Sequence, residues 1–141
     1  MRDYTAPKQT GENIFVKEAT GADHILIYDA DFTKAVKESL LISKAFSALS
    51  TNWGDDWGLE IEIRVLDTPL FAFFDVTVTT GIKYMVYLKG KKVYETYIRE
   101  SRTVTMGEMF VGRVRMRMAT EKSAQANIKK FIEELSNQKL D

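Results

Sequence analysis

Between Leu59 and Thr105, apolar and polar residues alternate with a period of two. Successive strand residues point to opposite sides of a sheet, so this pattern limits the chain to folds built on a sheet with one face in water. Leu59, Ile61, Ile63 and Val65 share one phase, and Glu60, Glu62 and Arg64 the other. Asp67-Thr68-Pro69 ends this strand, because proline gives up a ladder donor. Alternation resumes from about Phe71 to Leu88, with Phe74, Val76, Val78, Ile82, Tyr84, Val86 and Leu88 in the apolar phase. Asp75, Thr77, Thr79 and Lys83 occupy the other phase. Gly81 is the expected bulge, since so long a strand must bend. Lys89-Gly90-Lys91-Lys92 reads as a hairpin turn whose glycine supplies a positive φ. Val93 to Thr105, rich in β-branched residues and tyrosine, is the return strand.

Ahead of the alternation lies a shorter strand from Asn13 to Lys17, with Ile14 and Val16 on one side. Thr20-Gly21-Ala22-Asp23 breaks it, and the apolar run from His24 to Tyr28 follows. Asp29 or Asp31 is the expected N-cap of a helix, since a carboxylate there accepts free backbone N–H groups and complements the dipole. The helix is expected from about Phe32 to Leu49. Phe32, Ala35, Val36, Ser39, Ile42, Phe46 and Leu49 recur at spacings of three and four on one stripe. A second helix closes the chain, with Val111, Val114, Met118, Ile128, Phe131, Ile132 and Leu135 as its apolar face. The expected fold is therefore α+β: a four-stranded, mostly antiparallel curved sheet, order β-α-β-β-β-α, with both helices on one face.

The chain has 141 residues, which fits a single domain with one proper core. Residues 1–11, polar with Pro7 and Gly11, read as a flexible tail before a domain over 12–138. Lys+Arg and Asp+Glu both total 20, and this balance points away from nucleic acid as a partner. There is no cysteine, so disulfides and thiolate chemistry are excluded. No apolar run approaches the ~20 residues of a membrane-spanning helix. The segment after Met1 lacks the apolar core of a signal peptide.

Candidate chemistry is sparse. His24 is the sole histidine, and no serine sits in a nucleophile elbow to partner it. A packed or solvated loop histidine is expected. Asp55, Asp56, Glu60 and Glu62 offer oxygen ligands for a hard cation but lack the spacing of a calcium loop. A solvated loop and a wet strand face account for them. Arg113, Arg115 and Arg117 form a basic cluster that could grip a lipid phosphate or pair with Glu108 and Glu121 on a solvated helix face. Trp53, Trp57, Phe71, Phe73 and Phe74 make the densest aromatic region, either a partner-binding patch or a second small core. Trp53, Trp57, Phe71 and Phe73 are the candidate partner-binding residues. A small-molecule site would instead use the hydroxyls of Tyr84, Tyr87, Tyr94 and Tyr97 around a cleft between sheet and helices. No phosphate loop, dinucleotide fingerprint or zinc-protease motif occurs, so no catalytic residue, metal or cofactor is assigned.

Four segments carry a resemblance: "ENIFVKEATGA" (Glu12–Ala22), "DADFTKAVKESLLISKAF" (Asp29–Phe46), "KYMVYLKGKKVYETYIRES" (Lys83–Ser101) and "FVGRVRMRMATEKSAQANIKKFIEELS" (Phe110–Ser136). Together they resemble the soluble part of small Gram-negative envelope lipoproteins, including the lipopolysaccharide-assembly lipoprotein and auxiliary lipoproteins of envelope transporters. The resemblance implies a non-enzymatic, periplasm-facing domain held at the outer membrane by an acylated cysteine upstream of this sequence. Its implied partner is an envelope protein or lipid, with membrane association only through that anchor. Some similar proteins carry a sugar-nucleotide acyltransferase label, but the hexapeptide repeats of the β-helix acyltransferases are absent.

Overall fold

The computed structural model describes residues 12–21, 28–68 and 74–137. The element order is β1 (Asn13–Val16), α1 (Asp29–Ile42), β2 (Ala48–Leu49), β3 (Trp57–Asp67), β4 (Val76–Leu88), β5 (Lys91–Val104) and α2 (Gly112–Ser136). The sheet has five strands in the order β2-β1-β3-β4-β5. The α+β class agrees with the sequence reading, but the strand count and direction do not. β3, β4 and β5 form the antiparallel meander, whereas β1 runs parallel to both β2 and β3. A parallel pair needs a long crossover, and α1 lies in that connection.

The extra strand exists because α1 stops early. The expected helix ran to Leu49, but it ends at Ile42. Lys44 adopts a left-handed conformation, φ 61°. Its N–H bonds the carbonyl of Leu41, and the N–H of Ala45 bonds that of Leu40. This is a Schellman closure, here with lysine where glycine is usual. The chain then extends, and Ala48–Leu49 pairs with the open side of β1. At the other end Tyr28 is the N-cap; Asp29 and Asp31 lie inside the first turn, where they complement the dipole without capping.

Gly81 is not the bulge. The register shift lies on β3 between Ile63 and Val65, and Val65 then pairs with Gly81. A side chain at Gly81 would collide with the Tyr97 hydroxyl, so glycine is needed there for close approach. Lys89 and Gly90 form a two-residue turn with φ of 51° and 82°, both positive as a type I′ hairpin requires.

Both helices cover one face of the sheet. Phe32, Val36 and Leu40 of α1 meet Ile14, Val16, Trp57 and Leu59, and Ile128, Phe131 and Leu135 of α2 complete that cluster. A second cluster of Val76, Val78, Val104 and Ala119 lies beyond Thr80, nearer the start of α2. A buried polar seam runs between them. Asn127 Nδ2 donates to the Ile98 carbonyl at 2.8 Å, and the Tyr84 hydroxyl donates to Asn127 Oδ1 at 2.8 Å. Thr80 and Ser123 hydroxyls sit 3.0 Å apart, and Ser123 also donates to the Glu100 carbonyl. The buried face of α2 is therefore Arg115, Ala119, Thr120, Ser123, Ala124, Asn127, Ile128, Phe131 and Leu135. Of the other residues expected on it, Met118 and Ile132 are half-buried and pack against the margins of the two clusters, whereas Val114 is only partly buried and Val111 is exposed. Small and hydrogen-bonding residues let the helix lie close on the strands, and that proximity outweighs the hydrophobic period.

Candidate functional site

The sequence candidates do not gather in one place. Phe71, Phe73 and His24 lie outside the described residues. Trp57 is the first residue of β3 rather than a loop residue, and it is 0% exposed. Its ring packs near Phe46, and its indole N–H donates to the Glu12 carboxylate. Placed so, it presents no surface to a partner and is part of the main core.

Trp53 lies on the other face of the sheet. Its ring stands edge-on to Phe15 and Tyr87, with centroids 6.1 and 5.0 Å away, and covers Gly58. Lys17 Nζ sits 4.0 Å above the same ring and 3.4 Å from Glu60. A hydrogen bond with Glu60 pushes the Tyr87 phenol up to about 12. Trp53 is thus the lid of a small satellite cluster on the wet face.

The acidic candidates are dispersed as well. Asp56 accepts the backbone N–H of Asn13, Glu60 pairs with Lys17, and Glu62 pairs with Arg64. Among the described residues, no group of three His, Cys, Asp or Glu side chains could hold a metal. The tyrosines do not converge either. Tyr84 stacks on Phe131 at 4.0 Å inside the core, and Tyr94 donates to Glu134. Tyr87 and Tyr97 lie on the outer face.

One feature, of which only Phe74 was among the sequence candidates, stands out at the end of the sheet where β4 begins and β5 ends. There Phe74, Met106, Phe110 and Val111 are exposed, by 75%, 36%, 84% and 50% respectively. The turn that bears Met106, Phe110 and Val111 is held firmly. Thr105 and Glu108 form a reciprocal box: Glu108 Oε1 accepts the Thr105 N–H at 3.0 Å, and Thr105 Oγ1 accepts the Glu108 N–H at 3.2 Å. The Thr105 N–H and hydroxyl, both donating to Oε1, hold the Glu108 carboxyl below its ordinary value, and Lys122 lies 3.7 Å away. Asp75 Oδ1 accepts the Met106 N–H at 3.0 Å, tying the two loops together.

Arg115 completes the arrangement. The basic cluster divides, with Arg113 and Arg117 exposed and Arg115 only 1% exposed. Its Nη1 donates to the carbonyls of Met109 and Phe110, at 2.8 and 3.1 Å. Burying a guanidinium costs several kcal/mol before its bonds are counted. Here that buried charge fixes a turn whose apolar side chains face water. Glu108, expected as a partner for the surface arginines, pairs with Lys122 instead. The sequence did carry a trace of this site: the T-x-x-E box at Thr105–Glu108 amid methionine and phenylalanine.

No family model and no curated protein sequence matches the chain. Solved structures do. A DUF330 protein from Xanthomonas campestris superposes with a TM-score of 0.66 at 11% identity, covering 86% of this chain and 81% of its own. A putative lipoprotein from Caulobacter crescentus gives 0.62 at 11% identity over 94% and 95% of the two chains. A PelC dodecamer from Paraburkholderia phytofirmans gives 0.64 at 11% identity over 91% and 90%. Identities this low establish architecture alone: the chain has the α+β fold seen in small lipoproteins of the Gram-negative envelope.

Proposed function

We propose that this chain is the soluble domain of a bacterial envelope lipoprotein that works by docking rather than by catalysis, and that the apolar end of the sheet is its docking surface. The observation that carries the reading is the turn at Met106–Val111, where a buried arginine and a carboxylate box hold exposed Phe110 in place. Folding alone gains nothing from such presentation, and exposed apolar clusters on a monomer commonly mark interaction sites. The fold shared with envelope lipoproteins supports the compartment, a periplasm-facing domain at the outer membrane. The sequence holds no cysteine, so an acyl anchor would come from residues preceding Met1.

A photoreactive side chain at position 110, in cells, tests the docking surface against the same group at Lys91 on the hairpin at the opposite end of β4. The reading expects adducts at 110 and few at 91, and equal yields reject it. Metabolic labelling of the full-length gene product with a palmitate analogue tests the anchor. Recovery of an unlabelled product in the cytosol would remove the envelope assignment.

A small-molecule reading has one observation in its favour. A groove of about 480 Å³ between α1 and α2 is lined by Ala35, Ile42, Ile128 and Ile132, with Glu38 and Lys129 at its rim. Narrowing it with Ala35→Leu should abolish binding of any ligand found by screening, and undiminished binding would dismiss the groove as the site.

A further inference from the structure

The exposed apolar end continues into a cationic helix start. Phe110 and Val111 precede α2 directly, and Arg113 and Arg117 follow on its exposed side. Residues four apart on a helix share a face one turn apart. The two guanidinium groups therefore form a short column rising about 5 Å per turn behind the apolar side chains. Neither is paired with a carboxylate among the described residues. The first turn of α2 contains no acidic residue, and its N-cap makes no side-chain hydrogen bond. The positive end of the helix dipole thus adds to the arginines' field. Of the nearby acids, Glu108 is engaged with Thr105 and Lys122 and Asp75 with the Met106 N–H, while Glu121 lies exposed one turn beyond Arg117, farther from the apolar tip. Asp67 lies exposed at the end of β3, on the other side of this end.

We propose that this end inserts into an anionic lipid bilayer: Phe74, Met106, Phe110 and Val111 enter the acyl boundary, and Arg113 and Arg117 take headgroup phosphates. The inference rests on the docking reading above and names its partner. Two features favour a bilayer over a protein. The apolar side chains project from loop tips, whereas a stable protein interface needs roughly 800 Å² of matched surface on each partner. The order of groups also suits a membrane, with apolar contacts foremost and arginines a turn behind, at the depth where long cationic side chains reach headgroups. Asp67 would keep the β3 side away from the phosphates, so the domain meets the surface tilted with α2 leading.

The test is co-sedimentation of the purified chain with vesicles of phosphatidylcholine, or of an equal mixture of phosphatidylcholine and phosphatidylglycerol. The chain should partition onto the mixed vesicles and release as salt rises. Phe110→Ser should reduce that partition about tenfold. Arg113→Gln and Arg117→Gln should each reduce it about fivefold and weaken the salt dependence. All three side chains are exposed, so thermal unfolding should be unchanged, which separates lost binding from lost fold. No partition of the intact chain onto anionic vesicles overturns the inference, as does wild-type partition by Phe110→Ser. The photoreactive group at position 110 then separates the two readings. Protein adducts without vesicle binding would sink the bilayer inference and leave the docking surface standing. Absence of position-dependent adducts together with absence of vesicle binding would remove both.

Discussion

Replacing Asn127 by alanine should destabilise the fold by about 3–4 kcal/mol. The side chain is fully buried where α2 lies on β4 and β5. It supplies a donor to the Ile98 carbonyl at 2.8 Å and to Thr80 Oγ1 at 3.2 Å, and its Oδ1 accepts from the Tyr84 hydroxyl at 2.8 Å. Alanine strands two of these partners away from water, the Tyr84 hydroxyl and the Ile98 carbonyl. A buried unsatisfied polar group costs about 1–3 kcal/mol, so two cost about 3, and the small void adds up to about 1. Against a total stability of about 5–15 kcal/mol, this is a large fraction. Urea unfolding, followed by tryptophan fluorescence, should show a lower midpoint with an unchanged slope. Tyr84→Phe removes the hydroxyl and should cost about 1–2 kcal/mol. The double variant should cost about 1 kcal/mol less than the sum, because alanine then has no hydroxyl to strand. A loss under about 1 kcal/mol for Asn127→Ala, or a strictly additive cycle, would refute the seam as a joint between helix and sheet. The same burial pushes the Tyr84 phenol well above its ordinary value. Since the fold favours the neutral phenol, its contribution is intact below pH about 10 and is lost as pH rises through the folded-state value.

Three further outcomes are expected. Glu60→Ala should bring the Tyr87 phenol down from about 12 towards its ordinary range, read from phenolate absorbance, and an unmoved titration would mean that Glu60 does not hold it. Lys44→Gly should stabilise the chain by about 0.5–1 kcal/mol in urea, because glycine accepts the left-handed conformation that lysine holds under strain. Trp57→Ala should cost about 3–5 kcal/mol and cause loss of native near-UV circular dichroism near physiological temperature, since the ring is wholly interior; a cooperative, near-native melt would contradict its core placement.

The meander was legible because each of its strands carries its own evidence. Leu59, Ile61 and Ile63 alternate with Glu60 and Glu62, and the pairing of β3 with β4 follows that phase. The two helices were legible for the same reason, although α2 was assigned the wrong apolar residues near its start. The site was not legible. Trp57 beside Trp53 reads as one aromatic patch, yet the first residue of β3 points inward while Trp53 folds back over Gly58 on the opposite face. Val111 reads as the start of a helical stripe, yet α2 begins after it and leaves both Val111 and the neighbouring Phe110 in water.

Local patterning, then, decided which segments are strands and helices, because side-chain periodicity is a property of neighbouring residues. Tertiary contacts decided the rest. The parallel place of β1, the pairing of Ala48–Leu49 with it, and the use of Ser123 and Asn127 as the contact face of α2 depend on partners 23 to 43 residues away. The link between the two loops at the exposed end of the sheet has the same origin: Asp75 meets the Met106 N–H only once β4 and β5 are paired. Such placements are set by which distant groups can satisfy a buried donor or carbonyl, and no single window of the chain contains both halves of the bond.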